Sequence, residues 1–168
     1  MKGEGMKKST VLGLVSAVIL TSVFSCALAA TFTKFSNKFI KNFQDCDKYE
    51  ETITSEFENK TFTTTRKILG WKNGFCKYEE TITSPEDKYQ LRCSFSAIQM
   101  DELYQAMKSK SKENERYELD MYAEQKNVKN GAPKYAVVGT TTIKGNKAYV
   151  TWAKYQNNPY FCTPVKLK

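Results

Sequence analysis

Eight residues, Lys48-Tyr49-Glu50-Glu51-Thr52-Ile53-Thr54-Ser55, recur unchanged as Lys77-Tyr78-Glu79-Glu80-Thr81-Ile82-Thr83-Ser84. The offset is 29 residues, and each copy follows closely on a cysteine, Cys46 or Cys76. Two-residue alternation places Tyr49, Glu51, Ile53 and Phe57 on one strand face, and Tyr78, Glu80 and Ile82 on another. Each copy runs into a turn-like segment, Glu58-Asn59-Lys60 or Pro85-Glu86-Asp87, and then a second strand-like stretch such as Thr61-Phe62-Thr63-Thr64-Thr65. The repeated unit therefore reads as a β-hairpin, and residues 47–95 as a four-stranded meander with one solvated face. Between the hairpins, Asn73-Gly74 signals a tight turn, because both residues tolerate positive φ.

Flanking this meander are helical patterns. Phe32, Phe35, Phe39, Ile40 and Phe43 recur at helical spacing among lysines and asparagines, which predicts an amphipathic helix with an aromatic stripe. Ser96-Ala97-Ile98-Gln99 has the form of a capping box and opens a second helix carrying Ile98, Met100, Leu103, Tyr104 and Met107. A charged linker follows at residues 109–116. Tyr117-Glu118-Leu119-Asp120-Met121 alternates as a strand, residues 134–143 and 147–155 read as strands around a Lys144-Gly145-Asn146 turn, and residues 160–165 close the chain. The expected fold class is α+β: an antiparallel sheet built from repeated β-hairpins with two packing helices, in the order helix plus meander, twice. That order is similar to cystatin-like folds and to tandem inhibitor proteins, a likeness of arrangement alone.

Ahead of the fold, Lys2, Lys7 and Lys8 precede an apolar stretch at residues 11–20 and a run of small residues ending in Ala27-Leu28-Ala29. Basic, apolar and small-residue regions in that order define a secretory signal peptide over residues 1–29, cleaved after Ala29. The mature part is then residues 30–168, a single disulfide-stapled α+β domain whose pseudo-repeat halves would be 31–95 and 96–168. Val23-Phe24-Ser25-Cys26 loosely resembles a lipobox, so the alternative to a secreted or periplasmic protein is a lipoprotein anchored at Cys26, the one route to peripheral membrane association. Either way four cysteines remain, Cys46, Cys76, Cys93 and Cys162, and an even count in an exported chain implies disulfides. A hairpin turning at Ser84-Pro85-Glu86-Asp87 would set Cys76 beside Cys93, leaving Cys46 to Cys162, so Cys76–Cys93 with Cys46–Cys162 is the expected pairing.

The composition removes several chemistries. The chain has no histidine, which rules out His-centred triads and the commonest transition-metal ligand, and it has no C-x-x-C, P-loop or GxGxxG. No catalytic residue, metal site or cofactor is expected. Net charge is +8 over the whole chain; the leader holds three lysines and one glutamate, which leaves +6 on the mature part. Such a balance favours an anionic envelope polymer or an acidic protein as partner, and with diffuse charge in an exported chain no nucleic-acid role is expected. Binding candidates are Trp71, Lys72 and Asn73 in the connector between hairpins, with Tyr49 and Tyr78 on the sheet. The function expected is a small, exported, non-enzymatic binding or inhibitor-like protein. The alternatives are a His-independent envelope hydrolase acting on glycan through the paired glutamates, or a structural envelope component.

Overall fold

The structure is a computed structural model that describes residues 35–57, 59–111, 113–125 and 134–167. The expected signal peptide, Cys26 and Phe32 lie outside the described residues. The order of elements is α1 (Asn37–Asp45), β1 (Tyr49–Phe57), β2 (Lys60–Lys72), β3 (Phe75–Thr83), β4 (Lys88–Phe95), α2 (Ala97–Lys108), β5 (Glu115–Glu124), β6 (Tyr135–Gly145), α3 (Lys147–Gln156) and β7 (Cys162–Leu167). The fold is α+β. Antiparallel pairing joins five strands in the order β1-β2-β3-β4-β7, and β5 with β6 forms a separate two-stranded sheet.

The two octads occupy β1 and β3, on either side of β2. Their residues meet β2 in rows. Tyr49, Ile68 and Tyr78 lie side by side on the inner face, and the row continues through Cys93 to Cys162. On the outer face Glu50, Lys67, Glu79 and Arg92 form a row of alternating charge, with Lys67–Glu50 at 2.9 Å and Arg92–Glu79 at 3.2 Å. This outer face is the solvated one. The turn between β2 and β3 is the two-residue Asn73-Gly74 link that the sequence predicts, with φ of 53° and 77°. A bulge between Ile68 and Gly70 bends β2 near this end, and Gly70 takes the left-handed φ of 93° that it requires.

Against the inner face lie the helices. Ser36 caps α1 by accepting from the Phe39 amide, and Ser96 and Gln99 make the reciprocal capping box at the start of α2. Phe39 and Phe43 of α1, Met100, Leu103 and Met107 of α2, and Trp152 and Tyr155 of α3 are buried in one core with Ile68, Tyr78 and Phe95 from the sheet. Trp152 is its centre, with ring centroids 5.1–6.5 Å from those of Phe35, Phe39, Phe43, Tyr78 and Phe95. Packing of this kind combines large apolar burial with ring-edge electrostatics.

Two expectations are corrected here. Residues 147–156 form a third helix, not a strand: Asn146 caps it by accepting from the Tyr149 amide, and Ala148, Trp152 and Tyr155 point into the core at helical spacing. The order after α2 is therefore strand, strand, helix, strand, and β7 joins the sheet of the first meander at β4. The disulfides are Cys46–Cys76 and Cys93–Cys162, not Cys76–Cys93 and Cys46–Cys162. Register explains the difference. Across β3 and β4, Cys93 stands opposite Tyr78 and Cys76 opposite Phe95, so the two cysteines sit in different rows. Cys93 instead faces Cys162 directly across β4 and β7, with Cα atoms 4.1 Å apart. Cys46, turned by a positive φ of 58° at the end of α1, drops onto β3 to reach Cys76. Two disulfides within one small fold are the mark of an oxidising, extracytoplasmic environment. Among the described residues no helix is long and apolar enough to cross a membrane.

Candidate functional site

The paired glutamates divide between the two faces of the sheet, as alternation demands. Glu51 and Glu80, the same position in each octad, point inward and flank Arg66 of β2. Arg66 Nη1 lies 3.3 Å from Glu51 Oε1, and its Nε lies 3.4 Å from Glu80 Oε2, with all three side chains 9–12% exposed. The guanidinium is also stacked 4.4 Å from the Phe35 ring centroid. The second oxygen of Glu51 accepts from the Ser36 hydroxyl at 2.5 Å, which ties the clamp to the cap of α1. Glu80 accepts from the Tyr78 hydroxyl at 2.5 Å and from Gln156 at the end of α3 at 3.2 Å. Burial, reinforced by the Glu80 carboxylate, pushes the Tyr78 phenol well above its usual range, so it remains a donor. Planar, forked and always charged, Arg66 suits a site that must satisfy two carboxylates at once. The clamp thus joins α1, the edge strand β1 with its neighbours β2 and β3, and α3. Neither carboxylate lines the groove between the three helices or the smaller pocket beside β5 and α3.

A second polar link joins α2 to α3. Glu102 accepts from the Tyr155 hydroxyl and from Lys154 Nζ, the latter at 2.9 Å. Desolvation acts to raise the Glu102 carboxyl, but those two donors outweigh it and hold the group below its ordinary value. Partial burial and the same carboxylate push the Tyr155 phenol far up.

The concave surface lies elsewhere. A groove of about 610 Å³ runs between α1, the end of α2 and the start of α3. Its apolar lining is Phe35, Ile40, Tyr104, Met107 and Ala148, and its charged lining is Lys41, Lys108 and Lys110. Among the described residues no carboxylate lines it and these three lysines enter no ion pair. Lys108 Nζ sits 4.9 Å from the Tyr104 ring centroid, so one cation already leans over the apolar wall. The volume falls in the range of small-molecule sites.

The residues singled out in the sequence do not converge. Trp71 is 49% exposed at the far end of β2, and its indole N–H donates to the Asp45 carbonyl at 3.0 Å, beside the Cys46–Cys76 bridge. Lys72 and Asn73 are exposed at the adjoining turn, with Leu69 and Phe75 also exposed nearby. Tyr78 is fully buried, so its ring is a core residue in this conformation. Tyr49 is half-buried against the core, with Lys38 Nζ 5.5 Å from its ring centroid. The groove was missed in the sequence because Lys108 and Lys110 fall where a helix passes into a charged linker, and Lys41 alternates with the Phe stripe as any solvated helix lysine would.

No protein-family model matches the chain, and no curated protein or solved structure is significantly similar to it.

Proposed function

We propose that the protein works outside the cytoplasm, secreted or periplasmic, as a small non-catalytic binding protein. The observation that carries this reading is the fate of its carboxylates. The two repeated inward glutamates are bound to Arg66 inside the fold, while the groove between the helices is lined by lysines, uncharged polar groups and apolar side chains. Glycan hydrolysis requires two acids facing one another across a substrate bond, and here Glu51 and Glu80 face a guanidinium instead. The leader-like first 29 residues and the two disulfides support work in an oxidising compartment.

The test exposes oxidised mature protein and a reduced, alkylated control to envelope extract, followed by mass spectrometry of bound peptides and small molecules. A saturable, stoichiometric ligand that the control does not retain is expected. Turnover of an envelope glycan by the purified protein, or no ligand at low salt, overturns the reading.

A further inference from the structure

The geometry points to the groove between α1, α2 and α3 as a site for a monomeric single-chain alkyl carboxylate, a ligand with one anionic head and one apolar tail. The inference rests on the binding-protein reading and names the ligand class. Three observations carry it. The walls supply apolar surface from the half-buried Phe35, Ile40 and Tyr104, with Met107 and Ala148 beneath them, which a purely polar anion would leave unused. Lys41, Lys108 and Lys110 supply three positive charges with no lining carboxylate to neutralise them. The surface is an open groove of about 610 Å³, roomy enough to seat one small molecule, whereas a flat bilayer would need a protruding apolar patch.

Chemistry orders the ligand within the groove. Lys108 ends α2, Lys110 follows it and Lys41 lies on α1, and all three line the groove. A carboxylate between them exchanges solvent for ammonium donors, and the chain then runs along Met107 and Ile40 towards Phe35. Because Phe35 stacks on both Trp152 and the Arg66 guanidinium, a bound tail also presses on the wall that shields the clamp.

The experiment is titration calorimetry of oxidised mature protein with sodium laurate below its micellar concentration. Sodium acetate, dodecyltrimethylammonium and phosphatidylglycerol vesicles serve as separate probes. Laurate should bind one to one, acetate should give no heat, and dodecyltrimethylammonium should bind at least about tenfold more weakly. The triple variant Lys41→Glu/Lys108→Glu/Lys110→Glu should lose laurate affinity by about tenfold or more while its urea midpoint stays in place, since all three lysines are exposed. As a readout independent of variants, the methyl signal of Met107 should move with laurate and that of Met121, on β5, should not. Equal binding of the cationic amphiphile, unchanged affinity in the triple variant, or binding to vesicles but not to laurate overturns the inference. If laurate fails while envelope extract still yields a saturable ligand, only the groove assignment falls and the binding-protein reading stands.

Discussion

Replacing Arg66 with methionine is the sharpest probe of this fold. The substitution keeps a long side chain over Phe35 but leaves Glu51 and Glu80 without the cation that sits 3.3 and 3.4 Å from them. Removing one partner of a buried ionic cluster strands the remaining charge and costs about 3–5 kcal/mol. In a chain of this size that corresponds to a fall of roughly 10 °C or more in Tm. Two controls separate charge from packing. Arg66→Lys should recover part of the loss, because an ammonium supplies charge but not a planar fork to two carboxylates. Arg66→Met combined with Glu51→Gln and Glu80→Gln should recover more, since no buried charge then remains. Urea unfolding followed by far-ultraviolet circular dichroism at pH 7 measures all four proteins. A single variant as stable as the parent, or a charge-neutral triple variant no more stable than Arg66→Met alone, refutes the clamp as a charged unit.

Three more outcomes are expected. Non-reducing peptide mapping should recover Cys46 linked to Cys76 and Cys93 linked to Cys162; in the chain-entropy treatment their separations of 30 and 69 residues correspond to about 3.6 and 4.4 kcal/mol, so the Cys93→Ser/Cys162→Ser variant should be the less stable of the two double variants by urea unfolding. Glu102→Gln should lose about 0.5–1 kcal/mol at pH 7, a modest figure for a partly exposed group; because the folded carboxyl is held low, the loss is fully present above about pH 4.5 and the variant should converge on the parent as pH falls below it. In a spectrophotometric titration near 295 nm, Tyr78 and Tyr155, both raised by burial and a carboxylate neighbour, should stay silent while exposed tyrosines ionise, and appear only when alkali unfolds the chain.

The hairpins were readable because strand alternation, threonine enrichment and the Asn73-Gly74 turn all favour one local structure. α2 was readable for a similar reason, its capping box preceding a helical apolar pattern. α3 was not. Its Tyr149, Val150, Thr151 and Trp152 are good strand formers, and Asn146 serves a turn as well as a helix cap. What settles it is the place of Trp152 and Tyr155 in a core assembled mostly from residues over fifty positions upstream. The same non-local ordering hid the disulfides. Cys76 and Cys93 are neighbours in sequence terms, but a register two residues away from the one assumed puts them in separate rows, and β7 brings Cys162 from the far end of the chain.

The octad has a structural consequence that its spacing already contains. In antiparallel pairing the residue numbers of partners have a constant sum: 117 for Glu51 with Arg66, and 146 for Arg66 with Glu80. The two sums differ by 29, which is the offset between the octads. Equivalent residues therefore flank the same residue of β2, tyrosine beside Ile68, glutamate beside Arg66, isoleucine beside Thr64. A duplicated strand placed on both sides of a third thus asks each residue of that third strand to satisfy two identical neighbours. Ile68 does so by packing and Lys67 by standing in an exposed charge row, but a buried pair of carboxylates requires a cation with two faces. Of the side chains available, only the guanidinium presents donors in a planar fork. The inward glutamates are consumed by that requirement, which is why the repeated strand, though it dominates the sequence, leaves neither carboxylate to line the lysine-edged groove.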